Sequence, residues 1–122
     1  MKLLRIGRYR DIAYQSFDFL LSRIIVDNEI HVVSNKVWAH RGQPTNELQG
    51  GEQPIDVAYT IVALDRFYKF TKDEQYRKTI RIVFEWFLGR NHLRQIVYNP
   101  VTGGCFDGLN MRSISIKVQN PL

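Results

Sequence analysis

The chain has one cysteine, Cys105, and three well-separated histidines, His31, His40 and His92, in 122 residues. A single cysteine excludes an internal disulfide framework and a CxxC metal pair, and it fits a reducing compartment. The histidines lack metal-ligand spacing such as HxxxH. We therefore predict no metal and no cofactor. A nucleophilic role for Cys105 is disfavoured, because no histidine lies beside it in sequence to activate the thiol.

Long hydrophobic runs are also missing, so we expect no membrane span. The first residues, MKLLRIGRYR, are basic, but LLRI is too short and too interrupted for the core of a signal peptide. We expect a cytoplasmic protein. The formal charge is +5, with arginines crowded at the N-terminus. The remaining charges mix signs along helical patterns, so we expect no nucleic-acid partner.

Glycine pairs occur at residues 50–51 and 103–104, but no phosphate-binding motif surrounds them. Neither pair follows a strand pattern, and neither GxxxxGK[ST] nor GxGxxG is present. The sequence therefore excludes a phosphate-binding loop of these two kinds.

Three segments carry the spacing of amphipathic helices. Residues 9–26 have apolar side chains three and four residues apart, at Ala13, Phe17, Leu20, Leu21 and Ile24. The following stretch NEIHVVSN alternates briefly, which is typical of a short strand or an extended segment. Residues 40–53 hold three glycines and one proline and predict a long loop. Long ordered loops in compact domains are often functional.

A second helix is predicted from Pro54 to about Phe70, because proline suits the first helical turn and Asp56 suits its dipole. Its expected core face comprises Ile55, Ala58, Ile61, Val62 and Phe67. A third helix begins after Thr71 or Asp73 as the cap. Its expected apolar positions are Tyr76, Ile80, Val83, Phe84 and Phe87, with Trp86 as a further core or hairpin contact. Gly89 ends it.

A second long loop follows Gly89, with a short extended piece at Ile96–Tyr98. The link between the second and third helices is short, which predicts an antiparallel helical hairpin. Both long loops then fall at the other end of the helices. Helical-hairpin toroids have this layout, with loops gathered on one face around a pocket.

Three stretches of the chain resemble one family. GGEQPIDVAYTIVALDRFY, EWFLGRNHL and YNPVTGGCFDGL, in this order and spacing, are similar to the (α/α)-toroid domain of bacterial carbohydrate-active proteins. That domain resembles six-hairpin glycosidases and commonly follows a nucleotide-sugar glycosyltransferase of family four. The resemblance covers roughly residues 9–109. It implies an all-α fold, here a helical-hairpin fragment of the toroid with long loops and at most a short strand pair.

The tail, residues 110–122, has two basic residues, no acid and no helical period. Relatives of this family continue after DGL with a segment like NLNQGAEST. Read one base out of register, codons for residues 113–122 can spell this segment. We therefore expect residues 1–109 to be a partial toroid domain and residues 110–122 to be an out-of-frame tail. The family's glutamate in NQGAEST is absent in the present frame.

The candidate catalytic residues are Glu52, Asp56 and Asp107. Paired carboxylates about 5–10 Å apart suit glycoside hydrolysis. Asp56 also has a simpler interpretation as a helix-start acid, and Asp107 as a turn residue before Gly108. Glu52 is less easily explained by capping, and whether it catalyses or binds stays open.

The candidate substrate-binding residues surround these acids in the two loops and carry aromatic or polar side chains. They are Trp38, His40, Gln53, Asn91 and Tyr98. Loop packing is the alternative for the aromatic rings, and Asn91 can instead cap the third helix. Partners expected from the resemblance are a saccharide or a nucleotide-sugar-dependent glycosyltransferase.

A partial ring leaves the outer helix faces without neighbours, so we expect exposed apolar surface, low stability or self-association. We expect this chain to be inactive alone, as a fragment whose parent acts on or binds a saccharide. The alternative is a helical protein–protein interaction module without enzymatic activity.

Overall fold

The computed structural model describes residues 2–33, 51–109 and 114–115, with side chains described for residues 7–33 and 51–109. Its elements are the helices α1 (Lys2–Ile24), α2 (Pro54–Thr71) and α3 (Glu74–Phe84), a 3₁₀ helix (Glu85–Leu88), and the strands β1 (Ile25–Val26), β2 (Glu29–Ile30), β3 (Gly108–Leu109) and β4 (Ile114–Ser115). The prediction of a mainly helical fold is confirmed. The prediction of at most one strand pair is wrong, because β1 pairs with β2 and β3 pairs with β4, both antiparallel.

Helix α1 ends two residues earlier than predicted, because a β-hairpin follows it. Asp27 and Asn28 form the turn and have φ angles of 51° and 59°. A two-residue turn with positive φ at both positions matches the twist of paired strands, and Asp and Asn tolerate that conformation well. Ile25 therefore leaves the helix and pairs with Ile30. The strand predicted in NEIHVVSN is confirmed at its first residues.

Helix α2 begins at Pro54, as predicted, and ends at Thr71. Lys72 stops it in the left-handed conformation, at φ 60°, with its backbone N–H donating to the carbonyl of Tyr68. The predicted core face is wrong in part, since Ile55, Ala58 and Val62 are exposed. The buried residues are Val57, Thr60 and Leu64. The helix is apolar on several sides, so periodicity could not select the side that packs on α3.

Helix α3 begins after Asp73, whose Oδ1 accepts a hydrogen bond from the backbone N–H of Gln75 at 3.0 Å. Of the two caps considered, Asp73 is therefore the one used. Tyr76 and Val83 are buried as predicted, whereas Phe84 is exposed. Gly89 ends the following 3₁₀ helix with a φ of 108°, which confirms the predicted stop.

The core lies between α2 and α3, which pack side by side over a two-residue link and form the predicted hairpin. Trp86 is fully buried beneath them, which confirms it as a core residue. Helix α1 joins through an aromatic cluster of Phe17, Phe67 and Tyr76. The rings of Phe17 and Phe67 stack at 4.3 Å, and those of Phe67 and Tyr76 lie 5.4 Å apart. The end of the first long loop, at Glu52, and the end of the second, at Leu109, pair with each other just before α2.

Candidate functional site

Glu52 is a buried acid at the end of the first long loop, two residues before α2. Its backbone pairs with Leu109 in both directions, through N–H to carbonyl distances of 2.9 and 2.8 Å. Only 2% of the residue is exposed. These hydrogen bonds join the end of the first long loop, at Glu52, to the end of the second long loop, at Leu109.

The Glu52 carboxylate joins two further segments. Its Oε1 lies 2.6 Å from Nδ1 of His92, and its Oε2 accepts a hydrogen bond from the backbone N–H of Val32 at 3.2 Å. The His92 side chain is 10% exposed. A carboxylate oxygen accepts hydrogen bonds, so Nδ1 of His92 donates in this pair when the ring carries its proton there. The contact restrains the orientation of the imidazole ring.

Asn91 holds the turn that presents His92. The residue is fully buried, and its Nδ2 donates to the carbonyls of Trp86 at 2.9 Å and Gln95 at 2.8 Å. Its Oδ1 accepts from the N–H of Leu93 at 3.1 Å. Buried amides are normally satisfied in this way. The side chain predicted to bind substrate therefore makes its hydrogen bonds within the turn that contains His92.

A second charged cluster lies beside the first and was not foreseen from the sequence. The carboxylate of Glu29, on β2, accepts a hydrogen bond from Arg94 and lies 4.0 Å from Nε of Arg90 and 3.7 Å from Nε2 of His31. Arg94 adopts a left-handed backbone, with φ 53°. This cluster and the Glu52–His92 pair together attach residues 29–32 to the turn after α3.

Neither of the other two predicted acids is buried with Glu52. Asp56 is exposed in the first turn of α2 and lines a groove between α1 and α2. Asp107 is exposed and precedes Gly108, whose backbone approaches the carbonyl of Glu52. Among the described side chains, no hydrogen bond or ion pair links either aspartate to Glu52. Asp107 thus precedes the residue that approaches the Glu52 backbone, and Asp56 lines a groove together with Val32.

The predicted binding residues have different placements. Gln53 is half-buried and directly follows Glu52. Tyr98 is exposed and forms a backbone bridge with Cys105, which confirms the extended piece in the second loop. Trp38 and His40 lie outside the described residues.

Within the described ranges, no group of three His, Cys, Asp or Glu side chains is arranged to hold a metal ion. In the same ranges, no helix is both long and apolar enough to cross a membrane. The site contains a buried carboxylate paired with an imidazole. Such a pair can hold a proton at one ring nitrogen.

His92 is the site residue that sequence reasoning missed. It stands 40 residues from Glu52, so no spacing in the chain connects the two. The available signal was its position directly after a helix stop, at the start of a long loop. Scans against family models find no match, and no curated protein or solved structure matches the chain.

Proposed function

We propose that the chain is a fragment of a carbohydrate-active domain of the (α/α)-toroid kind, whose parent acts on or binds a saccharide beside a nucleotide-sugar-dependent glycosyltransferase. The observation that carries this proposal is the convergence of both long loops on one buried carboxylate–histidine pair. Glu52 comes from the loop before α2 and His92 from the turn after α3.

In this proposal Glu52 is a positioning residue, because its carboxylate is buried and already bonded to His92 and Val32. The groups offered to sugar hydroxyls are the more accessible ones around it. Asp107 and Gln53 lie on the two strands of backbone that meet at Glu52 and Gly108. The exposed Tyr98 ring supplies a flat apolar surface for the C–H face of a sugar. Trp38 and His40 are proposed as further contacts on the strength of the sequence resemblance.

Catalysis by this chain alone is not part of the proposal. Glycoside hydrolysis needs two carboxyl groups facing one bond. Asp56 lies in the groove between α1 and α2, and Glu52 is enclosed. The chain is therefore proposed to bind without turnover, and the pair of carboxylates that hydrolysis would need is assigned to the parent domain.

The test is a binding screen of the purified full chain against a panel of immobilised bacterial oligosaccharides. His92→Ala is compared with Val101→Ala, a control at a highly exposed position. The proposal expects wild type and Val101→Ala to retain the same saccharides and His92→Ala to lose them. Retention of no saccharide by folded wild-type protein, or equal retention by His92→Ala, would contradict it.

A second candidate function is a helical protein–protein interaction module without enzymatic activity. It is favoured by the large apolar side chains that α1 and α2 leave exposed, including Tyr9, Phe19, Tyr59 and Phe70. A chain that binds no saccharide but captures a protein through those side chains would establish this alternative.

A further inference from the structure

A groove follows the line along which α1 and α2 meet. One part, about 550 Å³, is lined by Phe17, Leu20, Ile24, Val32, Val33, Asp56, Tyr59, Thr60 and Ala63. The other part, about 400 Å³, is lined by Tyr9, Arg10, Ala13, Tyr14, Arg66, Phe67 and Phe70. The N-terminal half of α1 thus lies beside the C-terminal half of α2, and the two helices are antiparallel. We call this surface the α1–α2 groove.

Charges are separated between the two ends of the α1–α2 groove. The end formed by the start of α1 has two cations among its lining residues, Arg10 and Arg66, and no anion. The Arg10 guanidinium lies 4.9 Å from the centre of the Phe70 ring, which keeps it over the groove. The opposite end has one charged lining residue, the exposed Asp56.

The rims of the groove carry large exposed apolar side chains. Tyr59 is 67% exposed, Tyr9 69% and Phe70 66%. An aromatic side chain has roughly 150–250 Å² of surface, so these three alone present about 300–500 Å². Ile55 and Val62 extend the same side of α2, since residues 55, 59, 62, 66 and 70 fall on one helical stripe. A stable interface buries about 800 Å² per partner, and this surface approaches that area.

We propose that the α1–α2 groove is a homodimer interface in which two copies pack with their α2 helices antiparallel about a two-fold axis near Val62. A two-fold axis places the same patch on both sides of an interface, so the patch must complement itself. Rotation about this two-fold axis places Arg10 and Arg66 of one copy against Asp56 of the other. The symmetry produces this contact twice in each dimer. It also sets the apolar stripe of each α2 against that of the other. This inference is independent of saccharide binding.

The first experiment measures the mass of the full chain in solution by sedimentation velocity, from micromolar to near-millimolar concentration at low salt. Wild type is expected to dimerise. Tyr59→Glu places a charge beside the axis and is expected to give a monomer across the range. Val101→Glu is the matched control, because Val101 is exposed and apolar but lies outside the groove, and it is expected to dimerise like wild type. Far-ultraviolet circular dichroism confirms that each variant is folded.

The second experiment tests the antiparallel arrangement by exchanging charges. Arg66→Asp and Asp56→Arg are each expected to weaken dimerisation by about two- to tenfold, in the range of exposed ion pairs. The double variant is expected to recover part of the lost affinity, because the exchange restores one ion pair while Arg10 is unchanged. A wild type that stays monomeric overturns the proposal, whether residues of the same chain or a different protein cover the groove. A dimer insensitive to Tyr59→Glu, or a double variant that does not recover, overturns it equally.

Discussion

Glu52 and His92 meet through a 2.6 Å contact between Oε1 and Nδ1, although 40 residues separate them in sequence. The same carboxylate accepts the backbone N–H of Val32. One buried acid thereby connects the segment after β2, the approach to α2 and the turn after α3. This connection holds the three segments together at one end of the helical hairpin. The first prediction tests how much the connection contributes to the free energy of unfolding.

Removing the carboxylate should destabilise the fold. Glu52→Ala removes the carboxylate that contacts both the His92 ring and the backbone N–H of Val32, a change expected to cost about 3 kcal/mol of unfolding free energy. Glu52→Gln keeps the volume and one acceptor and should cost less, so it provides a folded variant if Glu52→Ala does not fold. Urea denaturation measures both. Asp107→Ala, at an exposed acid, should stay within about 0.5 kcal/mol of wild type, and an equal loss in this control would refute the assigned burial.

Coupling between the two side chains can be measured separately. In a double-mutant cycle with Glu52→Gln and His92→Ala, residues in direct contact should show an interaction free energy of about 0.5–3 kcal/mol. Additive effects would mean that the imidazole and the carboxylate do not interact in solution.

Gly108 should not tolerate a side chain. A Cβ at this position would lie 2.6 Å from the carbonyl oxygen of Glu52, which is held by its backbone bridge to Leu109. We expect Gly108→Ala to cost about 1–3 kcal/mol, in the range of overpacking. Gly104→Ala is the matched control, because its Cβ would make only an ordinary contact, 3.5 Å from Oγ1 of Thr102. Thermal denaturation compares them, and equal melting temperatures would contradict the close approach.

The prediction from sequence and the structure differ most clearly over which side of α2 is buried. Leu64 is fully buried, whereas Val62, which periodicity alone placed in the core, is 47% exposed. Leu64→Ala should therefore destabilise the monomer by about 2–5 kcal/mol. Val62→Ala should change it by about 0.5 kcal/mol or less. The comparison is made at low protein concentration, where association does not contribute to stability. A larger loss of stability in Val62→Ala than in Leu64→Ala would support the core face predicted from the sequence.

Tyr76 should make stability fall at alkaline pH. Burial first, and then the hydrogen bond to Asp18, raise the pKa of Tyr76 from 10.0 to about 12. The folded state therefore holds this proton more tightly than the unfolded state. The resulting stabilisation is fully present below pH 10 and is lost as the pH rises from 10 to 12, by roughly 1–2 kcal/mol.

The measurement for this prediction is the unfolding free energy of wild type and Tyr76→Phe between pH 8 and pH 11.5. Phenylalanine cannot ionise, so the variant should lose less stability over the upper part of this range. Parallel curves for the two proteins would show that Tyr76 does not contribute.

The out-of-frame interpretation of the tail makes a prediction about the gene. Ile114 and Ser115 pair with Leu109 and Gly108, so the two described tail residues extend the backbone around Glu52. Sequencing across codons 105–122 and onward should reveal a register that spells N-L-N-Q-G-A-E-S-T once a base is restored. A nucleotide sequence without that segment would refute the interpretation.

The helices were largely predictable because their signals are local. Pro54, Asp73 and Gly89 mark element ends through their own backbone chemistry, and the spacing of Tyr76 and Val83 identifies one face of α3. The hairpin after α1 was missed because Ile25 and Val26 suit the end of an apolar helix as well as a strand. Only the conformation of Asp27 and Asn28 distinguishes the two.

The site was predictable only in part. Glu52 was identified because capping could not explain it, but its partner depends on how α3 is placed against the segment before α2. His92 and the Glu29–Arg94 pair, 65 residues apart, are consequences of that tertiary arrangement. Asp56 has good reasons to be at a helix start, and sequence could not show that it faces α1 rather than Glu52.

The most direct test of the central claim is a nuclear magnetic resonance titration of the isotope-labelled full chain with the oligosaccharide that it retains most strongly. The account predicts saturable shifts in the backbone signals of Gln53, His92, Tyr98 and Asp107 and in the His92 ring, and no such shifts in folded His92→Ala. Shifts confined to the α1–α2 groove, or no shifts at any residue, would contradict the proposal that the Glu52–His92 pair organises a saccharide site.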